Sequence, residues 1–158
     1  MKIEREPFSH ELFEELIPLA RKCWAENTIV KAESCAFYGE RDFEIEPDLE
    51  TYQRQSDLGN LVIFTLREDS LKGYIVGFLY RSWHHKKILC ANADSIYLDP
   101  DYRSYAVVMI ERFEKEMRAM NVHIIGWPTP PEGSVYGLLK AKGYVLDDVV
   151  MEKRLCAL

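Results

Sequence analysis

Four cysteines, Cys23, Cys35, Cys90 and Cys156, stand far apart, with no Cys-x-x-Cys pair and no histidine at ligand spacing. Zinc sites and disulfide frameworks need patterned cysteines, so no metal is assigned and the thiols are read as reduced. No apolar run approaches membrane-spanning length, and Met1-Lys2-Ile3-Glu4-Arg5-Glu6 lacks the apolar core of a secretory signal. The expectation is a cytoplasmic chain with no membrane partner. Positive charge is scarce as well: 20 Lys and Arg face 26 Asp and Glu, for a net charge of −6. That balance argues against a broad nucleic-acid surface and suits a cationic partner. Glycine and proline are scattered singly except at Pro128-Thr129-Pro130-Pro131, and there is no low-complexity run or internal repeat. With 47% hydrophobic residues, 1–158 reads as a single domain with a core of its own, acting as monomer or homodimer.

What is present begins with Lys2 to Glu6, read as a first strand. Ser9 follows as the N-cap of a helix, with Phe8 placed to staple against Phe13. Phe13, Leu16, Ile17, Ala20 and Trp24 continue that helix's apolar face, and Pro18 predicts a bend by removing one bond. From residue 40 to 50 acids fill every even position: Glu40, Asp42, Glu44, Glu46, Asp48 and Glu50. This ridge is either solvated surface or a lip that attracts an amine. Asp48 to Ser56 reads as a short helix with Leu49 and Tyr52 on one side. Leu61 to Arg67 and Gly73 to Trp83 form a hairpin about Glu68–Lys72, and His84-His85-Lys86-Lys87 turns the chain into a third strand, Ile88 to Leu98.

The stretch from Ala91 to Met120 organises the rest. Its strand ends at Asp99-Pro100, where proline removes a ladder donor and biases the residue before it to extended geometry. A helix follows, with Ala106, Ile110, Phe113, Met117 and Met120 on one stripe that must pack on a sheet. Such a strand–turn–helix junction points free N–H groups and a positive dipole end beyond the strand, where a phosphate binds well. Val122 to Trp127 supplies the next strand after the crossover. Ser134 to Lys142 is a helix closed at Gly143, and Val145 to Leu155 a last strand.

Leu98-Asp99-Pro100-Asp101-Tyr102-Arg103, followed by a helix, resembles the acyl-CoA-binding motif of the GCN5-related N-acetyltransferases, which runs Val-x-Pro-x-Tyr-Arg-x-x-Gly-x-Gly. Ala106 and Val108 stand where that motif has glycine. Gly73-Tyr74-Ile75-Val76-Gly77-Phe78 resembles the family's Gly-x-Ile-x-Gly-Phe strand, and Leu138 to Tyr144 its Leu-Tyr-x-x-x-Gly-Phe segment. The likeness keeps the family's order from Gly73 to Leu155. It implies an α/β (α+β) fold, a mixed, mainly antiparallel sheet of about six to seven strands flanked by about four helices.

The implied activity is transfer of an acetyl group from acetyl-CoA, as cosubstrate, to a primary amine of a small molecule or protein by direct attack in a ternary complex. Main chain at Ile96, Tyr97 and Leu98 would hold the cofactor arm, and Arg103, Ser104, Tyr105, Ala106, Val107 and Val108 the pyrophosphate. Asp94 is the candidate base for deprotonating the amine; the other reading is a surface Asp on an alternating strand, sharing a face with Cys90 and Asn92. The family's tyrosine acid is replaced by Leu139, so Tyr136, one turn earlier, is the candidate donor, though a thiolate can also leave unaided. An Asn of many relatives gives way to Pro128–Pro131. Trp24, Tyr38, Trp83 and His84 either line the amine pocket or are core and rim aromatics. His84 and His85 are adjacent and point apart on a strand, which argues against shared metal ligation. The departures leave an alternative: a protein of this fold that binds coenzyme A or another protein without turnover.

Overall fold

The computed structural model describes residues 1–31, 45–129 and 133–147. Contacts group them into two compact units, Met1–Ala20 with Glu46–Pro128, and Arg21–Ile45 with Thr129–Leu158. The first contains β1 (Lys2–Glu6), the start of α1 (His10–Lys31), α2 (Leu49–Asp57), β2 (Leu61–Arg67), β3 (Leu71–Arg81), β4 (Leu89–Leu98), a 3₁₀ turn (Pro100–Tyr105), α3 (Ala106–Ala119) and β5 (Ile124–Gly126). The second contains the rest of α1 and α4 (Ser134–Ala141).

The sheet order is β1-β2-β3-β4-β5. The first three pairings are antiparallel, and β5 joins β4 in parallel, as a strand returning through a crossover helix must. Five strands among the described residues are fewer than the six to seven expected. Residues 145–147 of the expected last strand are not extended in a sheet, and the remainder of it lies outside the described residues.

α1 starts where the caps put it: Ser9 Oγ accepts the Leu12 N–H at 3.1 Å, and the Phe8 and Phe13 rings meet edge-on at 6.1 Å. The helix runs through Pro18 without a break. α3 ends in a Schellman closure, with Val122 N–H donating to Met117 O, Asn121 N–H to Arg118 O, and Asn121 at φ 57°. Gly143, at φ 90°, closes α4.

α3 packs on one face of the sheet through Met109, Ile110, Phe113 and Met117, all fully buried. Ala106 and Met120, the ends of the expected stripe, are only half-buried, and Met109 joins the core instead. Gly77 makes this packing possible, because a Cβ there would lie 2.8 Å from Phe113 Cζ. Phe64 and Trp127 meet the same ring edge-on at 5.9 and 5.8 Å. At the sheet's first edge Glu6 grips Arg67 with both oxygens, at 2.6 and 3.1 Å, and accepts the Thr65 hydroxyl. Burial alone would raise the Glu6 pKa, but these hydrogen bonds outweigh it and hold the carboxyl below its usual range.

Candidate active site

The site is built on a defect in β4. Val76 pairs with Ser95 and Gly77 with Ala93, so Asp94 has no opposite number on β3 and forms a β-bulge. Bulges re-aim a side chain and are frequent beside functional sites. The face follows from the register. Gly77 looks toward α3, so Phe78 looks the other way, and its ring meets Tyr52 of α2 edge-on at 5.7 Å. Asn92 pairs with Phe78 and Ser95 with Val76, which sets Asn92, Asp94 and Ser95 on the Tyr52 side of the sheet.

Asp94 keeps an exposed surface, yet the protein around it desolvates the carboxylate and raises its pKa. A carboxylate made more basic in this way is better suited to accept a proton near neutral pH. Opposite it, the Tyr52 ring is held by Phe8, Phe13 and Phe78. Burial first, and the Asp94 charge second, push its hydroxyl up to about 12, so it stays a neutral donor at any working pH. Tyr74 and Ser95 share a hydrogen bond of 3.0 Å next to the bulge. The sequence gives Tyr52 only as an apolar-face residue of α2; nothing in its spacing points to β4, forty residues on.

At the far end of β4 the 3₁₀ turn is tied to the β2–β3 hairpin. Asp99 N–H donates to Lys72 O at 2.8 Å, the Tyr102 hydroxyl donates to Glu68 Oε2 at 2.7 Å, and Lys72 Nζ lies 5.6 Å from the Tyr102 ring centre. The hydrogen bond to Glu68 raises the Tyr102 pKa to about 12. Ala106 N–H is used by Arg103 O, no side chain caps α3, and no acid stands in its first turn. The 3₁₀ turn runs directly into α3, however, and places Asp99 and Asp101 at the start of that helical segment, so its positive end already has carboxylates beside it. Half-buried Ala106 and Val108, 40% exposed, also put side chains where the motif's two glycines would leave bare backbone. The β4–β5 ladder stops at Asn92 paired with Gly126, short of Ile96, Tyr97 and Leu98.

The other candidates are distributed. Trp83 and His84 lie in the turn after β3, which ends at Arg81 and not at Trp83, so the argument that the two histidines point apart on a strand does not apply. Trp24 and Tyr136 belong to the second unit, and Tyr38 lies outside the described residues. Of the acidic ridge, Glu40, Asp42 and Glu44 also lie outside them; Glu46, Asp48 and Glu50 are exposed. Asp48 has a structural duty as the N-cap of α2, accepting the Glu50 N–H at 3.0 Å and the Thr51 hydroxyl at 2.5 Å. Neither Cys23 nor Cys90 is in a disulfide. Among the described residues no cluster of three or more His, Cys, Asp or Glu could hold a metal, and no helix is long and apolar enough to cross a membrane.

No protein-family model and no curated protein matches this sequence. Solved structures do. A Bacillus halodurans protein superposes with a TM-score of 0.75 at 13% identity, over 98% of this chain and 100% of its own. An aminoglycoside acetyltransferase from an uncultured soil sample gives 0.66 at 16% identity, over 99% and 96%. The ribosomal-protein-alanine N-acetyltransferase of Brucella melitensis gives 0.63 at 13%, over 99% and 100%. With the bulged fourth strand, the crossover through α3 and these matches along nearly its whole length, the chain has the fold of the GCN5-related N-acetyltransferases.

Proposed function

We propose that this chain is an acyl-CoA-dependent N-acetyltransferase whose acceptor is a primary amine, cationic before it reacts, on a small molecule or a protein. The observation that carries the reading is Asp94, raised out of the β4 ladder by the bulge, desolvated and facing Tyr52. An alkylammonium cannot attack a thioester until it loses a proton. Asp94 takes that proton, directly or through one water, and its negative charge also favours the approach of the ammonium. The amine nitrogen then bonds to the acetyl carbon, and the carbon–sulfur bond breaks. Coenzyme A supplies the activated acetyl group and a thiolate of tolerable pKa as leaving group. Tyr136 remains the candidate proton donor on the strength of the family resemblance, and solvent can replace it.

For the cosubstrate, the residues assigned are the main chain of Ile96–Leu98, with Arg103 to Val108 at the pyrophosphate. The strand–turn–helix junction at the end of β4, with Arg103 in the turn, supports that assignment. The family's solved members point the same way, one of them an aminoglycoside N-acetyltransferase in complex with CoA. Aminoglycosides are polyamines, and one neighbour was solved with sisomicin, so polycationic small molecules head the acceptor panel. The setting proposed is the cytoplasm.

Calorimetric titration with acetyl-CoA, followed by thiol release with a panel of amines, tests the reading. Expected are micromolar binding, a rise in Tm at saturation, and turnover with at least one amine. Millimolar binding with no thermal shift would refute it. Tight coenzyme A binding without thiol release across the panel would instead assign the chain to the binding proteins of this fold.

A further inference from the structure

The β3–β4 turn is a rigid apolar point set in positive charge. Trp83 is 94% exposed at its apex. Ser82 N–H donates to Ile88 O at 3.0 Å and Ile88 N–H to His85 O at 2.8 Å, so the turn holds its shape. Arg81, Lys86 and Lys87 flank Trp83 in the turn, no acid lies between residues 81 and 87, and the chain as a whole carries −6. A fully solvated tryptophan on an ordered turn is a hot-spot side chain without its pocket.

The same end of the sheet carries the complementary surface. α2 leaves for β2 through Leu58–Asn60, and Asn60 O accepts the Leu79 N–H at 2.7 Å, so the end of α2 borders the base of the turn. Leu58 and Tyr80, 64% and 46% exposed, extend the apolar patch toward it. Along α2 runs a shallow groove of about 460 Å³ lined by His10, Leu49, Glu50, Gln53, Arg54 and Asp57. Exposed acids outnumber the Arg54 cation that also lines it: Glu50 and Asp57 in the lining, with Glu46 and Asp48 before α2 and Glu11 and Glu14 on α1. Among the described residues Lys86 and Lys87 pair with no carboxylate.

We propose that this end of the molecule is an interface between two copies of the chain, with Trp83 of each copy seated in the α2 groove of the other and Lys86 and Lys87 facing Glu50 and Asp57. A basic point and an acidic groove side by side on one surface are what a two-fold, self-complementary contact requires, since each copy then gives and receives the same contact. Excess acid elsewhere on the chain makes a second copy a natural counter-charge for the basic turn. The apolar patch supplies the affinity and the charges the register. None of this depends on the proposed catalysis.

Sedimentation of the full chain from roughly 1 to 100 µM measures the contact. Expected is a monomer–dimer equilibrium that weakens as salt rises from about 0.05 to 0.5 M, because the paired charges are screened. Trp83→Ser, the pair Lys86→Glu/Lys87→Glu, and the pair Glu50→Lys/Asp57→Lys should each weaken the dimer at least about tenfold. Combining the two charge-reversed pairs should restore it. All these side chains are exposed, so each variant should keep the parent's melting curve, which is checked alongside. A chain monomeric throughout overturns the proposal, as does a dimer that Trp83→Ser leaves unchanged or charge reversal fails to rescue.

Discussion

Asp94, in the middle of β4, and the turn from Pro100 to Val108, just past its end, are built in opposite ways. The bulge takes one residue out of the ladder and presents a carboxylate on the Tyr52 side of the sheet. The turn fastens its residues down: Asp99 and Tyr102 are bonded to the neighbouring hairpin, Ala106 to Arg103, and side chains stand where relatives have glycine. The bulge therefore has a reactive group and little to constrain it, while the turn has constraint and a helix dipole but a crowded surface. Chemistry at the first should tolerate no substitution. Cofactor affinity at the second should improve on simplification.

The largest expected effect is at the bulge. Asp94→Asn should lower turnover by about two orders of magnitude at pH 7, with acetyl-CoA affinity changed no more than a few-fold, because the removed group acts on the amine and not on the cofactor. Steady-state rates and calorimetry on one preparation separate the two quantities. The defect should shrink as pH rises and more amine is free base. Parent-like turnover would leave Asp94 as an ordinary strand residue.

Next is the packing beneath the bulge. Gly77 pairs with Ala93, and a Cβ on it meets Phe113, which is fully buried and has nowhere to go. Gly77→Ala should therefore cost about 1–3 kcal/mol, read as a lower urea midpoint with an unchanged slope. If Gly77→Ala melts like the parent, α3 has more freedom to move than the contact implies.

At the turn the effect should be smaller and of opposite sign for binding and stability. Ala106→Gly and Val108→Gly restore the family's glycines, the first at a cost of up to about 1 kcal/mol of helix stability and the second at only a few tenths, since valine is itself a poor helix former. Acetyl-CoA should nevertheless bind several-fold tighter, since backbone approaches the pyrophosphate more closely without side chains. Unchanged or weaker affinity in titration would place the anion elsewhere.

The smallest effect is the stability counterpart of the first. Burial raises the Asp94 pKa in the folded chain, so the folded state holds that proton more tightly than the unfolded one. The resulting stabilisation is complete below the unfolded value and is lost as pH rises through the folded one, leaving the ionised carboxylate a net cost at pH 7. Asp94→Asn should melt at the same temperature or up to about 3 °C higher at pH 7, and the gain should vanish in acid. A clear drop in Tm at pH 7 would show the carboxylate to be a structural partner.

Local signals carried much of this fold. Ser9 and Phe8 marked the start of α1, the run Lys2–Glu6 marked β1, and Gly143 marked the end of α4, because caps and strand alternation depend on a few neighbouring residues. The α3 stripe was legible in its centre and misjudged at its ends. Ala106 sits against the 3₁₀ turn and Met120 at the helix C-cap, so neither is fully covered, while Met109 turns inward. β3 is also shorter than its β-rich run, ending at Arg81, and Trp83 leaves the ladder for solvent.

By itself the sequence determined the order of strands and helices from β1 to α4, the apolar face of α3 and the presence of a carboxylate on the fourth strand, since period and turn chemistry are written residue by residue. Tertiary structure alone decided that Asp94 is the residue β3 leaves unpaired, that its charge reaches Tyr52, and that Trp83 stands in solvent beyond the end of β3. A bulge depends on the register of two strands, and register is settled by packing both faces of a sheet at once. The Asp94 charge reaches Tyr52 because Phe78 carries α2 onto β3 and β3 carries β4 beside it, a relation between elements that no window of sequence contains.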